Sequence, residues 1–175
     1  FAFYAGATKE NVHLLREMEL MAGCCGVKVF MGASTGDLLV DTDEGVAAVL
    51  NVIERRAAFH SEDEFRLADR RALARHGDWT SHVEVRDDIA AMQSTQRLVR
   101  LARAAGKRIH VLHISTADEI DYLQHHKDIA SVEVTPQHLT LAAPECYERL
   151  GAYAQMNPPI RDAKHREGLW RGVDQ

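Results

Sequence analysis

The 175-residue chain carries 21 basic and 26 acidic side chains, which gives a formal net charge of -5. This charge argues against a general nucleic-acid binder, because no basic stripe is available to neutralise phosphates. Hydrophobic residues make up 46% of the sequence, a globular composition, and we expect residues 1–175 to form a single domain. No apolar run approaches the ~20 residues of a membrane span, and three cysteines make no disulfide framework, so we expect a cytoplasmic protein that binds neither membranes nor nucleic acid.

Hydrophobic periodicity predicts strands that alternate with helices along the whole chain. The predicted strands cover residues 1–5, 27–31, 57–60, 108–115 and 130–136, and a sixth strand with its loop is predicted within 152–162. The predicted helices cover residues 9–21, 43–56, 64–75, 87–104 and 117–126, followed by a short helix from residue 163. A loop of small residues is predicted at 32–41, after the second strand.

Strands that alternate with helices indicate a parallel sheet of five or six βα units. Polar or ionisable residues stand at the carboxyl ends of the predicted strands: Lys28, His60, His113, Thr135 and Asn157. Both a (β/α)8 barrel and an open doubly wound sheet build their sites at this edge. The first strand is not followed by a G-x-G-x-x-G turn, which disfavours dinucleotide binding. We therefore predict an α/β fold, a partial TIM-type (β/α)8 barrel.

Two histidines end predicted strands and are candidate metal ligands. His110 and His113 are three residues apart, so in a strand they face opposite sides. We assign His113, which is expected to share a face with Val111, as the candidate ligand, and His110 as structural. His60 ends the preceding strand. A hydrogen-bonded core histidine is the alternative interpretation of each ring.

Lys28 lies between apolar residues in the segment GVKVFMGASTG. A charged ammonium would be repelled by a divalent metal beside two imidazoles. A neutral amine reacts with carbon dioxide to give a carbamate, which is an anionic oxygen ligand that suits zinc. A salt bridge from Lys28 to a neighbouring carboxylate is the alternative.

Five ordered blocks of the sequence resemble the cyclic amidohydrolases of the amidohydrolase superfamily. The blocks are GVKVFMGASTG, FHSEDE, IHVLHIST, VEVTPQHLTL and QMNPPIR. They span essentially the whole chain and are most similar to dihydroorotases, with allantoinases, hydantoinases and dihydropyrimidinases as relatives.

The resemblance implies a zinc-dependent hydrolase of cyclic amides, in a dihydroorotase the reversible hydrolysis of dihydroorotate to N-carbamoyl-aspartate in pyrimidine biosynthesis. Lys28 matches the carboxylated lysine that bridges two metals, and His60 and His113 match metal histidines. Asn157 matches a loop position whose backbone contacts the substrate ring. His138 receives no catalytic role.

Other family features have no match in the sequence. The amino-terminal H-x-H, the arginine that follows it and the catalytic aspartate are expected beyond residues 1–175. We therefore expect this chain alone to be inactive, to bind zinc weakly or not at all, and to keep Lys28 as an unmodified amine. Its open sheet edges should favour association, and a homo-oligomer is expected. Alternative functions are an allantoinase, hydantoinase or dihydropyrimidinase, or a non-catalytic scaffold.

Overall fold

The computed structural model describes residues 1–32 and 36–173, and its centre is a sheet of five parallel strands. In chain order these strands are β1 (Phe3–Gly6), β2 (Cys24–Phe30), β3 (Ala57–His60), β4 (Ile109–Val111) and β5 (Ala130–Val132). Each strand pairs with the one that follows it in the chain, so the sheet order is β1-β2-β3-β4-β5.

This strand order decides between the two predicted architectures. Crossovers between parallel strands are right-handed, so an order that never reverses puts every connecting helix on the same face of the sheet. A (β/α)8 barrel has this arrangement, whereas a doubly wound sheet reverses its order at a switch point. The prediction of a partial TIM-type barrel is confirmed.

Nine α-helices occur in the described residues. They are α1 (Leu15–Leu20), α2 (Asp43–Val52), α3 (Glu64–Arg70), α4 (Ser81–Val85), α5 (Asp88–Ala104), α6 (Ala117–Leu123), α7 (Pro136–Thr140), α8 (Glu145–Leu150) and α9 (Ala163–Val173). Among the described residues, none of the helices combines the length and the apolarity needed to cross a membrane.

Three local predictions need correction. The helix predicted over 9–21 is shorter, because the Thr8 hydroxyl accepts bonds from the Glu10 and Asn11 amides and competes with helix formation there. The strand predicted within 152–162 is wrong: a 3-10 helix at Gly151–Ala154 and a loop occupy this segment. In the predicted loop 32–41, residues 33–35 lie outside the described residues, and a 3-10 helix covers Gly36–Leu38.

The two faces of the sheet differ in chemistry. One face packs on the helices and is apolar; its buried residues include Val27, Val29, Phe59, Ile109 and Val111. The alternate residues of the same strands point the other way, because successive side chains of a strand alternate between faces. On that second face the register aligns Lys28 with Ala58, and Ala58 with His110. Ionisable side chains are therefore concentrated on the face away from the helices.

Candidate metal and substrate site

The register of β2 and β3 places Lys28 and His60 on the same face of the sheet. Lys28 pairs with Ala58, and Phe30 pairs with His60. His60 is two residues after Ala58, so it lies on the same face as Lys28, opposite the helices, and nearer the carboxyl edge of the sheet. Both side chains point toward what would be the interior of a closed barrel.

His113 reaches the same place through an unusual backbone conformation. β4 ends at Val111, and His113 has a φ of 38°, in the left-handed region that most side chains avoid. Continued alternation would have sent His113 to the helix face together with Val111. The prediction that the strand runs on and that His113 shares the face of Val111 is wrong, and the left-handed turn is the physical reason.

The turn brings the rings of His60 and His113 together. Nδ1 of His60 lies 3.1 Å from Nε2 of His113, and the rings meet edge to face with centroids 4.8 Å apart. Burial lowers the pKa of His113 to about 3, and charge on His60 and Lys28 acts in the same direction, so His113 is neutral at pH 7. Two nitrogens bound to one tetrahedral zinc at ~2.0–2.1 Å lie about 3.3 Å apart. The observed 3.1 Å is close to that value, and it is also the length of the hydrogen bond that joins the two rings here.

Lys28 is half-buried and forms no ion pair within the described part of the chain. Its Nζ donates to the Val29 carbonyl at 3.2 Å and lies 3.8 Å from the centroid of the Phe30 ring. Burial lowers the pKa of Lys28 to about 7, although the charge of Glu133 opposes the shift. A substantial fraction of Lys28 is therefore a neutral amine at neutral pH, as carbamate formation requires.

A buried carboxylate stands beside His60. Oε2 of Glu62 lies 2.9 Å from His60 Nε2, without the alignment of a hydrogen bond, and accepts a hydrogen bond from Arg86. Burial opposes ionisation of Glu62, but the adjacent His60 and Arg86 outweigh it and hold the pKa of Glu62 at about 2. In the sequence Glu62 is one of three acids in the segment FHSEDE, and Arg86, which is distant in sequence, gives no signal there. By contrast, Asp63 caps α3 through the Arg66 amide, as expected of an acid at a helix start.

Gly32 allows the ends of β2 and β3 to come close. A Cβ atom at residue 32 would lie 2.3 Å from the carbonyl oxygen of Glu62, a distance that real contacts do not reach. The close approach of the two strand ends that carry Lys28 and His60 therefore requires glycine at this position.

Asn157 lies in the loop between the 3-10 helix at Gly151–Ala154 and α9, and it is exposed. The carbonyl of Met156 accepts a hydrogen bond from His82 Nε2 at 3.0 Å, and that of Pro158 accepts one from His138 Nε2 at 3.1 Å. In the described residues, no hydrogen bond or ion pair joins Asn157 to Lys28, His60 or His113.

The donors at the strand ends suit a divalent metal. Two buried polar atoms there, Nε2 of His60 and Oε1 of Glu62, lack a hydrogen-bond partner. Two imidazole nitrogens converge beside them, and imidazole is a common ligand of zinc. The residues present therefore fit the metal that the resemblance implies.

A second group of potential ligands is less suitable. Ligand atoms of Asp88, Asp118 and His165 lie within 4.8 Å of one another. However, Nδ1 of His165 accepts a hydrogen bond from the Ala117 amide at 3.1 Å, so in the neutral ring the proton is on Nε2. Neither nitrogen then has a free lone pair to offer to a metal.

Comparisons with known proteins identify similar sequences and a similar fold. A dihydroorotase of Methanosarcina acetivorans is 29% identical over 181 residues, which cover 97% of the chain and 38% of the relative. An allantoinase of Salmonella paratyphi B is also 29% identical, over 94% of the chain and 39% of the relative. The solved L-hydantoinase (dihydropyrimidinase) of Arthrobacter aurescens superposes with a TM-score of 0.88 at 26% identity, over 97% of the chain and 40% of that structure.

No family model matches the chain. The chain spans less than half the length of each of these relatives. Nearly all of it, however, is matched both in sequence and in fold. Over nearly its whole length the chain is therefore similar to part of a dihydroorotase, of an allantoinase and of an L-hydantoinase.

Proposed function

We propose that the native protein containing this chain is a metal-dependent cyclic amidohydrolase, and that its substrate is dihydroorotate. The observation that carries this proposal is the 3.1 Å approach of His60 Nδ1 and His113 Nε2 at the carboxyl edge of a parallel sheet. A half-buried lysine amine with a pKa of about 7 lies on the same face. The names of the relatives supply the substrate class, a cyclic amide.

In this proposal His60 and His113 hold zinc, within a binuclear centre of the complete enzyme. When bound, the metal supplies Lewis acidity, which polarises an amide carbonyl and makes water a nucleophile near neutral pH. Because His113 is neutral at pH 7, its ring has one unprotonated nitrogen that can bind a cation.

Lys28 would join the site as a carbamate. Its neutral amine attacks the carbon of carbon dioxide, an N–C bond forms, and one proton is released to solvent. The product carries one negative charge where the ammonium carried one positive charge. This change removes the repulsion between Lys28 and a cation and supplies two oxygen donors.

Asn157 would contribute its backbone groups to the substrate ring, and the residue is exposed. The proton delivered to the leaving nitrogen needs a general acid, which the resemblance expects beyond residues 1–175. We therefore propose that hydrolysis belongs to the native protein and that the isolated chain is inactive. A cytoplasmic location and a homo-oligomeric state are part of the same proposal.

The decisive experiment measures metal content and hydrolysis together. The native protein, expressed in zinc-supplemented medium, is assayed on dihydroorotate, allantoin, a hydantoin and a dihydropyrimidine, and its metal is quantified by mass spectrometry. We expect bound zinc and hydrolysis of dihydroorotate. Absence of both zinc and hydrolysis would overturn the proposal and favour a non-catalytic scaffold.

Allantoin is the second candidate substrate, because the allantoinase matches the chain with the same identity as the dihydroorotase. Both activities break a C–N bond in a ring, so the metal site alone does not separate them. Hydrolysis of allantoin with no hydrolysis of dihydroorotate would replace the proposed substrate and keep the proposed reaction class.

A further inference from the structure

The loop around Asn157 is fastened on both sides of that residue by histidines. His82 Nε2 bonds the carbonyl of Met156 at 3.0 Å, and His138 Nε2 bonds the carbonyl of Pro158 at 3.1 Å. These carbonyls belong to the residues directly before and after Asn157. The two rings come from α4 and α7, so two separate helices hold one short loop.

The direction of both hydrogen bonds is fixed by chemistry. A carbonyl oxygen only accepts, so Nε2 must carry the proton in each ring. In His138 the other nitrogen, Nδ1, lies 2.8 Å from the Thr135 hydroxyl, which donates to it and leaves the ring proton on Nε2. Burial lowers the pKa of both rings, so both are neutral donors at pH 7.

Thr135 ties this arrangement to the sheet. It follows β5 and stands directly before α7, so the chain of contacts runs from the strand end through Thr135 and His138 to the Pro158 carbonyl. His138 is 2% exposed, which leaves its ring little freedom to move.

Asn157 itself is exposed while its two neighbours are held. A segment that is fixed on both sides but keeps its own surface open is ordered before a ligand arrives, and a ligand then does not have to supply the cost of ordering it. The loop attachment lies at the same edge of the sheet as His113, because the Ile114 amide, directly after His113, donates to the Glu133 carbonyl at 2.9 Å, and Glu133 is two residues before Thr135.

We propose that His82 and His138 are positioning residues that hold the Asn157 loop in place to receive the ring of a cyclic amide. His138 acts through a backbone carbonyl, and His82 acts through a backbone carbonyl and an interaction with the Asn157 side chain. Neither ring is proposed to touch the substrate. This inference rests on the proposed function, which assigns substrate binding to Asn157.

The test compares leucine and glutamine variants in the native protein. Leucine removes the donor, whereas the glutamine amide nitrogen reaches about as far as Nε2 and keeps it. We expect His138→Leu and His82→Leu each to raise KM roughly tenfold, the loss of one well-placed hydrogen bond, with kcat changed less than about threefold. The matched glutamine variants should stay within about threefold of the wild-type KM. His76→Leu, which changes an exposed histidine of the neighbouring segment, is the control and should leave KM unchanged.

A second readout separates this inference from the proposed function. Amide hydrogen exchange across residues 155–161, measured without substrate, should be faster in the leucine variants and near wild type in the glutamine variants. Should His138→Leu fail to fold, His82→Leu carries the same test, since the ring of His82 is only half-buried.

The outcomes are distinguishable. Unchanged amide hydrogen exchange in the leucine variants would show that the two histidines do not hold the Asn157 loop. Faster exchange with an unchanged KM would overturn the positioning role. A wild-type protein that hydrolyses none of the four rings would overturn the proposed function and with it the link to substrate, while the exchange data still decide whether the loop is fastened.

Discussion

His113 has two separable properties, a left-handed backbone and an imidazole that faces His60. A non-glycine residue in this conformation costs roughly 1–2 kcal/mol, and asparagine tolerates the conformation better than most side chains. The backbone conformation and the candidate ligand can therefore be removed one at a time.

We expect the free energy of unfolding of His113→Asn to lie within about 1 kcal/mol of the wild-type value, because asparagine suits the left-handed backbone. The same variant should lose most of its zinc, since the nitrogen that faces His60 is gone. Urea unfolding and metal analysis of the native protein measure the two effects. His110→Asn is the control, because His110 bonds the Ser131 hydroxyl and makes no hydrogen bond to His60 or His113 in the described residues. Full zinc in His113→Asn would exclude His113 as a ligand.

Single residues could be found from sequence where they stand at strand ends. Lys28, His60 and His113 were identified in this way, although the metal-binding and substrate-binding roles of these residues and of Asn157 remain predictions. Arg86 and His82 could not be found, because their partners Glu62 and Met156 are distant in sequence. Only the folded chain brings such pairs together.

At the scale of elements, α5 depends on its first residues. Asp87 caps the helix by accepting from the Ala90 amide at 3.0 Å, and it also accepts from Arg66 at 2.8 Å and 2.6 Å. Burial opposes ionisation of Asp87, yet the hydrogen bonds from Arg66 prevail and hold the pKa of Asp87 below its usual value.

We expect Asp87→Ala to destabilise the fold by about 2 kcal/mol, and Asp87→Asn, which keeps the capping oxygen, by about 1 kcal/mol. A lowered carboxyl pKa contributes stability that is fully present above the unfolded value of about 4 and is lost as pH falls through the folded value. The difference in the free energy of unfolding between wild type and Asp87→Asn should therefore be largest at pH 7 and smaller at pH 3. Urea unfolding at both pH values measures this difference, and Asp69→Asn, which changes an exposed carboxylate, is the control. An equal difference at pH 7 and pH 3 would contradict the ion pair.

Elements with strong caps and clear periodicity were predicted well. Thr42 and Thr116 cap α2 and α6, which begin at their predicted residues, and α5 ends at its expected residue. The failure at 152–162 has a physical cause: Pro158 and Pro159 have no amide hydrogen for a sheet ladder. The carbonyls of Met156 and Pro158 are bonded by histidine side chains instead, and that of Ile160 by the Tyr147 hydroxyl, which no periodicity reveals.

At the scale of the whole molecule, the outer edges of β1 and β5 have no strand beside them in the described residues. Exposed apolar side chains accompany these edges, Phe3 and Tyr4 at β1 and Val132 at β5. Unpaired edges of this kind are templates for pairing with another chain.

We expect the chain of residues 1–175, produced alone, to associate at micromolar concentration, as measured by sedimentation velocity. Phe3→Lys, which places a charge on the β1 edge, should shift the distribution toward monomer. Tyr153→Lys changes an exposed aromatic residue away from the sheet edges and should not shift it. A monodisperse wild-type monomer would show that the edges do not drive association.

The alternation of strands and helices was enough to predict a parallel barrel-type sheet, because few architectures accommodate it. The strand order, which selects the barrel over a doubly wound sheet, depends on long-range pairing and became visible only in the structure. The expectation of a single domain over 1–175 remains a prediction.

The close contact at Gly32 implies that the distance between the candidate ligands Lys28 and His60 depends on the absence of a Cβ atom at residue 32. Any side chain at position 32 would clash with the Glu62 carbonyl and push the end of β3 away from β2. Gly32→Ala should therefore lower zinc content several-fold although it changes no candidate ligand, a result that metal analysis of the native protein checks. In descendants of this sequence, the ligand spacing would be under selection at a residue that never touches the metal.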